Sequence, residues 1–254
     1  MLHVQQIPCL SDNYGYLIHD DESGMTATID TPEVAPINAA LEQKGWNLTH
    51  ILNTHHHFDH AGGNIELKEQ WGCTIIGSGP DADRIPGIDI KVDEGDEFLF
   101  GNHNVKVFDV SGHTIGHIAF HFVDSEILFS GDALFSLGCG RLFEGTPAQM
   151  WQSLSKLIKL PDSTIVYCAH EYTQANAAFA LSVEPQNEAL QARSKEIDEL
   201  RAAGKPTVPS LLGLEKATNP FLRPTSADLQ NNLGLQGAEL TEVFAETRRR
   251  KDNF

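Results

Sequence analysis

Two patterns of hydrophobic and polar positions divide the chain near residue 173. Before that point, short runs rich in β-branched and aromatic residues alternate with glycine-containing turns. The runs "TATID" (26–30), "HILNT" (50–54), "CTIIG" (73–77), "NVKVFDV" (104–110), "HIAFHFV" (117–123), "EILFSG" (126–131) and "TIVYCA" (164–169) predict strands. Helical spacing lies between some of them, over 34–44, 62–71 and 147–159. This interleaving predicts layered sheets and helices, an α/β (α+β) architecture.

After residue 174 the strand signals stop. "PQNEALQARSKEIDELRAAGKP" puts Leu190, Ile197 and Leu200 near one helical face, and Gly204 and Pro206 then signal a stop. "GAELTEVFAETRRRKDNF" puts Leu240, Val243, Phe244 and Thr247 at i, i+3, i+4 and i+7. The stretch "TVPSLLGLEKATNPFLRP" between them reads as a proline-rich loop. Two domains are expected, 1–173 and a helical 174–254. No repeat or low-complexity segment appears.

Composition narrows the classes. A chain of 254 residues with 41% hydrophobic content can bury a sizeable core. A net charge of −17 argues against a nucleic-acid partner, which needs a basic footprint. It does not exclude an anionic small molecule held by a local basic patch. Cys9, Cys73, Cys139 and Cys168 form no CxxC pair, so reduced, partly buried thiols are expected. The N-terminus lacks the basic-then-apolar order of a secretory signal, and no apolar run approaches membrane-spanning length. A cytoplasmic protein, without a membrane partner and monomeric, is expected.

The candidate chemistry begins at "THHHFDHAGG" (54–63), directly after the strand "HILNT". Strand ends are where α/β proteins commonly place ligands. Side chains alternate along an extended segment, so His55 and His57 point one way and His56 the other. Asp59 and His60 follow where the chain turns toward a helix. Exposed loop histidines are the plain alternative, but alternation plus an acid favours a metal. Imidazole with one carboxylate suits zinc, iron or manganese. His113, Asp132 and His170 each stand just past a further predicted strand. Together these make five histidines and two aspartates, enough for two metals bridged by Asp132. His117 reads as a supporting residue, and His3, His19, His50, His103 and His121 as surface or core positions.

On these residues the chain resembles the metallo-β-lactamase superfamily, whose signature is H-x-H-x-D-H with later His, Asp and His ligands. The resemblance implies an αββα sandwich carrying a catalytic metal centre over 1–173. "DNYGYLI" (12–18), "GCGRLFEGT" (138–146), "HEYT" (170–173), "NPFLR" (219–223) and the terminal "RRRKDNF" further resemble glyoxalase II, the hydroxyacylglutathione hydrolases. That likeness implies two divalent metal ions per chain, zinc foremost, with iron or manganese as alternatives. One would bind His55, His57 and His113, and the other Asp59, His60 and His170, with Asp132 shared. Asp59 and Asp132 would carry the hydroxide site. The implied reaction is hydrolysis of S-D-lactoylglutathione to glutathione and D-lactate, the second step of methylglyoxal detoxification. Such a thioester hydrolase needs no general acid for the thiolate, since free thiols have a pKa near about 8.5. A lactonase would reuse the metals without needing the terminal cations, and a glutathione-persulfide dioxygenase would use a single iron.

Substrate contacts are implied at Arg141, Phe143, Tyr172, Arg248 and Lys251 in residues 174–254 and the segments before them. The family often has lysine where Arg141 stands; the cation survives although its geometry differs. It often has tyrosine where Phe143 stands, so one hydrogen bond is absent, worth about 1 kcal/mol. On the last helix Lys251 continues the apolar stripe and Arg248 flanks it. From periodicity alone, "RRRK" equally well complements the helix dipole; the resemblance favours binding at Arg248 and Lys251.

Overall fold

The computed structural model describes residues 1–254. Contacts divide them into two compact units. The first comprises Met1–Val110 and Ile115–Gly131, and the second Ser111–Thr114 and Asp132–Phe254.

The first unit opens with an antiparallel hairpin of β1 (Leu2–Cys9) and β2 (Asn13–Asp20), with Leu2 opposite Asp20. β3 (Thr26–Ile29) pairs antiparallel with β2. Then α1 (Val34–Lys44), β4 (His50–Leu52), α2 (Phe58–Ala61), α3 (Asn64–Trp71), β5 (Thr74–Ser78) and β6 (Ile90–Val92) follow. β3, β4, β5 and β6 run parallel in the sheet, with helices joining β3 to β4 and β4 to β5 and a loop joining β5 to β6. Ile37 and Leu41 of α1 and Leu67 of α3 bury their side chains against Leu17, Ile51 and Ile75. Ile51 and Leu52 of β4 are therefore fully buried, as are Asn53 and Thr54 just past its C-terminal end.

β7 (Glu97–Phe100), β8 (His103–Asp109), β9 (Ile118–Phe122) and β10 (Ile127–Gly131) form an antiparallel run in the same unit. Phe100, Phe120, Phe122 and Phe129 are all fully buried. The Phe129 ring lies 5.5 Å from Tyr16 of β2, so this run packs on the first sheet.

The second unit contains the small hairpin β11 (Leu134–Phe135) and β12 (Gly138–Cys139), α4 (Pro147–Leu157) and β13 (Ile165–Cys168). α5 (Thr173–Val183), α6 (Glu188–Ala202), β14 (Ser210–Leu211), α7 (Leu212–Thr218), α8 (Ala227–Leu233) and α9 (Leu240–Asp252) complete it. α4 begins with a capping box: Thr146 accepts from the Gln149 amide, and Gln149 accepts from Thr146 N–H. Leu137, Ala177, Ala180, Leu190 and Ile197 form the core that joins α5 to α6. Phe244 of α9 packs on Trp151 and Phe221, each with ring centres 6.0 Å away.

Three local expectations change. The stretch read as a loop over 207–224 holds β14 and α7, because Leu212 is buried and Glu215 finds buried partners. The expected helix 62–71 starts two residues later, at Asn64, and a separate short helix, Phe58–Ala61, ends before Gly62 and Gly63. A Cβ at Gly63 would stand 3.0 Å from the Thr31 carbonyl, so the strand-to-helix turn needs glycine there. On α9, Arg248 is buried beside Val243, Phe244 and Thr247 rather than flanking them. No helix is long and apolar enough to cross a membrane.

Candidate metal centre

In the first unit the chain leaves β4 through buried Asn53 and Thr54 and delivers four candidate ligands within six residues. His55 and His57 precede α2; Asp59 and His60 lie on it. His55 Nε2 and His57 Nδ1 stand 3.1 Å apart. Two ligands of one tetrahedral zinc at ordinary bond lengths stand about 3.3 Å apart, so these nitrogens are spaced as a ligand pair. The His60 ring centre is 4.1 Å from that of His55, and His60 Nε2 is 3.5 Å from Asp59 Oδ2.

Their orientation comes from residues the sequence reading did not single out. Asp30, just past β3, has φ 58° and a buried carboxylate. Its Oδ1 accepts from Thr54 N–H, and its Oδ2 accepts from Thr54 Oγ1 and contacts His60 Nδ1, each at 2.8 Å. With Nδ1 held by a carboxylate, Nε2 is the His60 atom left for a metal, an arrangement that also raises ligand basicity. Asn13 Nδ2 donates to Asp59 Oδ2 at 3.0 Å. His117 is buried and stacks on His55 with ring centres 4.6 Å apart, which fixes the plane of that imidazole.

His56 goes elsewhere. Its Nδ1 meets Asp81 Oδ2 at 2.7 Å, and Asp81 also accepts from Arg84 Nε at 2.6 Å. His56→Ala is therefore expected to keep the full metal content while losing some stability, as read by elemental analysis beside thermal unfolding. Loss of a metal ion from that variant would overturn the separation of His56 from its neighbours.

The second unit assembles its own cluster around Asp132. His113 Nε2 lies 3.4 Å from Asp132 Oδ2, and His170 Nε2 lies 3.4 Å from Asp132 Oδ1. The carboxylate thus offers one oxygen to each imidazole. His113 Nδ1 donates to the Arg141 carbonyl at 2.8 Å, which again leaves Nε2 for a metal. Gly140 makes this possible: a Cβ there would stand 2.0 Å from the Asp132 carbonyl oxygen and 3.1 Å from His113 Nδ1. His170 is stacked flat on Tyr172, with ring centres 4.7 Å apart, and meets the edge of Phe135 at 5.8 Å.

The expected substrate residues all lie in this unit. The exposed Phe143 ring sits 5.1 Å from His113, and Arg141 is exposed. Arg248 is buried; its Nη1 donates to the Cys139 carbonyl at 3.0 Å, and Nε and Nη2 donate to Asp252. Lys251 donates to the Ala175 carbonyl at 3.1 Å and lies over the Phe179 and Phe254 rings. Desolvation holds its ammonium below the usual lysine range, and Arg248 and Arg141 push it the same way. Asp252, which pairs with Arg248, pushes the other way.

The donor chemistry fits divalent metals: imidazoles with oriented Nε2 or Nδ1 atoms and carboxylates, in groups able to hold metal ions. All four cysteines are free and buried, and burial pushes Cys139 up to about 11 and Cys168 up to about 12. Almost no thiolate exists at neutral pH at such values.

Residues 22–170 match the model of the metallo-beta-lactamase superfamily, and residues 171–254 that of the hydroxyacylglutathione hydrolase C-terminus. The chain is 56% identical over 253 residues to the hydroxyacylglutathione hydrolase of Ruegeria pomeroyi, covering 100% of this chain and 99% of that one. It is 57% identical over 253 residues to that of Rhizobium etli, with the same coverage. Among solved structures, ETHE1 from Myxococcus xanthus superposes with a TM-score of 0.67 at 24% identity, over 99% of this chain and 100% of that one. TTHA1623, crystallised in a di-iron-bound form, superposes with a TM-score of 0.62 at 26% identity, over 85% and 99%. The fold is the expected α/β (α+β) metallo-β-lactamase type, with a helical C-terminal region.

Proposed function

The chain belongs to the hydroxyacylglutathione hydrolase family of the metallo-β-lactamase superfamily and is a thioester hydrolase, and we propose how its residues carry out that reaction. Its substrate is S-D-lactoylglutathione, which with water gives glutathione and D-lactate. We assign two divalent metal ions per chain, zinc foremost, to His55, His57 and His113 on one side and to Asp59, His60 and His170 on the other. Asp132 is shared. The observation that carries this reading is the Asp132 carboxylate, with one oxygen toward His113 and the other toward His170.

When bound, the metals polarise the thioester carbonyl and lower the pKa of water from about 15.7 toward about 7. Around them the protein supplies order. Asp30, Thr54 and the Arg141 carbonyl fix the tautomers and ring planes of His60 and His113, so that no reorganisation is needed at the reacting carbon. Asp59 and Asp132 bring negative charge to the hydroxide side, and Asn13 holds Asp59 in place. A C–O bond forms and the C–S bond breaks; the thiolate leaves without a dedicated acid because its conjugate acid has a pKa near about 8.5.

We assign binding of the glutathione peptide to Arg141, Tyr172, Arg248 and Lys251, with Phe143 covering the side next to His113. Residues 1–173 then hold the metal chemistry and 174–254 hold substrate, with Arg141, Phe143 and Tyr172 as the shared boundary. Lys251→Ala and Arg248→Ala are expected to raise KM roughly tenfold, the worth of one charge-assisted hydrogen bond, with kcat largely kept. Steady-state kinetics separate the two parameters; a fall in kcat alone would sink the binding role. We take the protein to act as a monomer in a reducing cytoplasm, which suits its free cysteines.

Hydrolysis of S-D-lactoylglutathione by purified protein carrying close to two metal ions per chain is the direct test. A single iron with oxygen uptake on a glutathione persulfide would refute the assignment.

A further inference from the structure

The segment from Asp132 to Arg141 governs all three candidate ligands of the second unit. Asp132 begins it. Gly140 lies on the Asp132 carbonyl, and the Arg141 carbonyl accepts from His113 Nδ1. Phe135 packs edge-on against His170. The turn between β11 and β12 therefore sets how the ligands stand, and it is not self-supporting. Leu137 at its tip has φ 57°, a left-handed conformation that a leucine keeps only where its surroundings enforce it.

The surroundings are a buried polar group from the C-terminal helices. Arg193 of α6 and Glu215 of α7 are paired, with relative exposures of 6% and 0%. Arg193 Nη2 also donates to Ser136 Oγ at 2.8 Å, and Nη1 donates to Thr218 Oγ1 at 2.7 Å. Glu215 Oε2 accepts from Leu137 N–H at 2.8 Å, and Oε1 accepts from Ser210 Oγ at 2.7 Å. Asn219 Nδ2 donates to the Phe135 and Gly138 carbonyls at 3.2 and 3.0 Å, and Asn176 Nδ2 takes the Ser136 carbonyl at 3.0 Å. The turn's backbone groups at 135, 136, 137 and 138 are thus tied to side chains of α5, α7 and its C-terminal cap.

We propose that Arg193, Glu215 and Asn219 are positioning residues: a buried clamp by which the C-terminal helices hold the Asp132–Arg141 hairpin in its ligand-presenting conformation. This rests on the metal assignment made above. None of the three is among the metal ligands or substrate contacts assigned above. A buried ion pair is a poor device for stability alone, since a matched apolar pair does as well, but it fixes one geometry where two partners must agree. Arg193, the Leu137 N–H, Ser210 Oγ and Asn219 Nδ2 all meet Glu215 as donors.

Glu215→Gln sets an amide N–H₂ against those donors, and Asn219→Ala releases two carbonyls of the turn while leaving the ion pair. In apo-protein titrated with zinc against a chelator, well below the unfolding temperature, both variants are expected to bind metal about 10–100-fold more weakly, the range seen when groups behind metal ligands are removed. kcat should fall with them. Leu229→Ala, in the buried face of α8, is expected to lower the unfolding temperature with zinc affinity unchanged. If both clamp variants lose stability but keep wild-type zinc affinity, the clamp is only structural and the proposal fails. If Glu215→Gln does not fold, Asn219→Ala decides. A wild-type protein that holds metal without cleaving the thioester refutes the enzymatic reading instead, and the zinc titration still judges the clamp.

Discussion

Asp132→Ala is expected to lower kcat by at least about a thousandfold, about 4 kcal/mol of barrier. Two imidazoles, one before Asp132 in the chain and one after it, converge on this one carboxylate, each at 3.4 Å from a different oxygen. Removing it leaves His113 and His170 without the anion between them, and takes the shared countercharge from the pair of metal ions proposed above. Metal content should drop along with turnover. Asp132→Asn keeps the shape and one acceptor oxygen but not the charge, so it should fall between wild type and alanine in both measurements. Elemental analysis and steady-state kinetics on the same preparation check this, and near-normal kcat in Asp132→Ala would remove Asp132 from the centre.

Gly140→Ala is the second large effect, and it involves no functional group. The added methyl would meet the Asp132 carbonyl oxygen at 2.0 Å, a distance no relaxation of a side chain can cure because the obstacle is backbone. Either the hairpin or Asp132 must move, and His113 Nδ1, at 3.1 Å, moves with them. Since φ at Gly140 is not in the left-handed region, the cost is space rather than backbone conformation. We expect zinc affinity to fall about 10–100-fold and activity with it, as for loss of a group that orients a ligand. Circular dichroism should still show a folded protein. Wild-type affinity in a folded Gly140→Ala would mean that the hairpin does not set Asp132.

Much of this protein was legible in the order of its residues. Strands 26–30, 50–54 and 126–131 were readable as short runs of β-branched and aromatic residues buried on both faces, and helix 34–44 because Ile37 and Leu41 are buried one turn apart. The opposed directions of His55 and His56 follow from the alternation of side chains along an extended segment, and they appear as a 3.1 Å His55–His57 approach and a separate His56–Asp81 pair. The last helix could be drawn from Leu240, Val243, Phe244 and Thr247, of which the latter three are buried.

What could not be read depends on contacts across long separations. Asp30 is a lone acid after an apolar run; its meaning lies in Thr54 and His60, 24 and 30 residues later. Arg193 shares a helical face with Leu190 and Ile197, yet an arginine there ordinarily marks solvent; Glu215 makes it a buried residue. Arg248 likewise turned inward to the Cys139 carbonyl, 109 positions away. The sequence by itself determined the elements, the inventory of ligand-type side chains and the strand ends on which they stand, because periodicity and residue chemistry are local. Tertiary structure alone decided which nitrogen of His60 and of His113 is held by a protein oxygen, which glycine must have no side chain and which charges are buried, because each of these is settled by a partner distant in the chain and brought near only by packing.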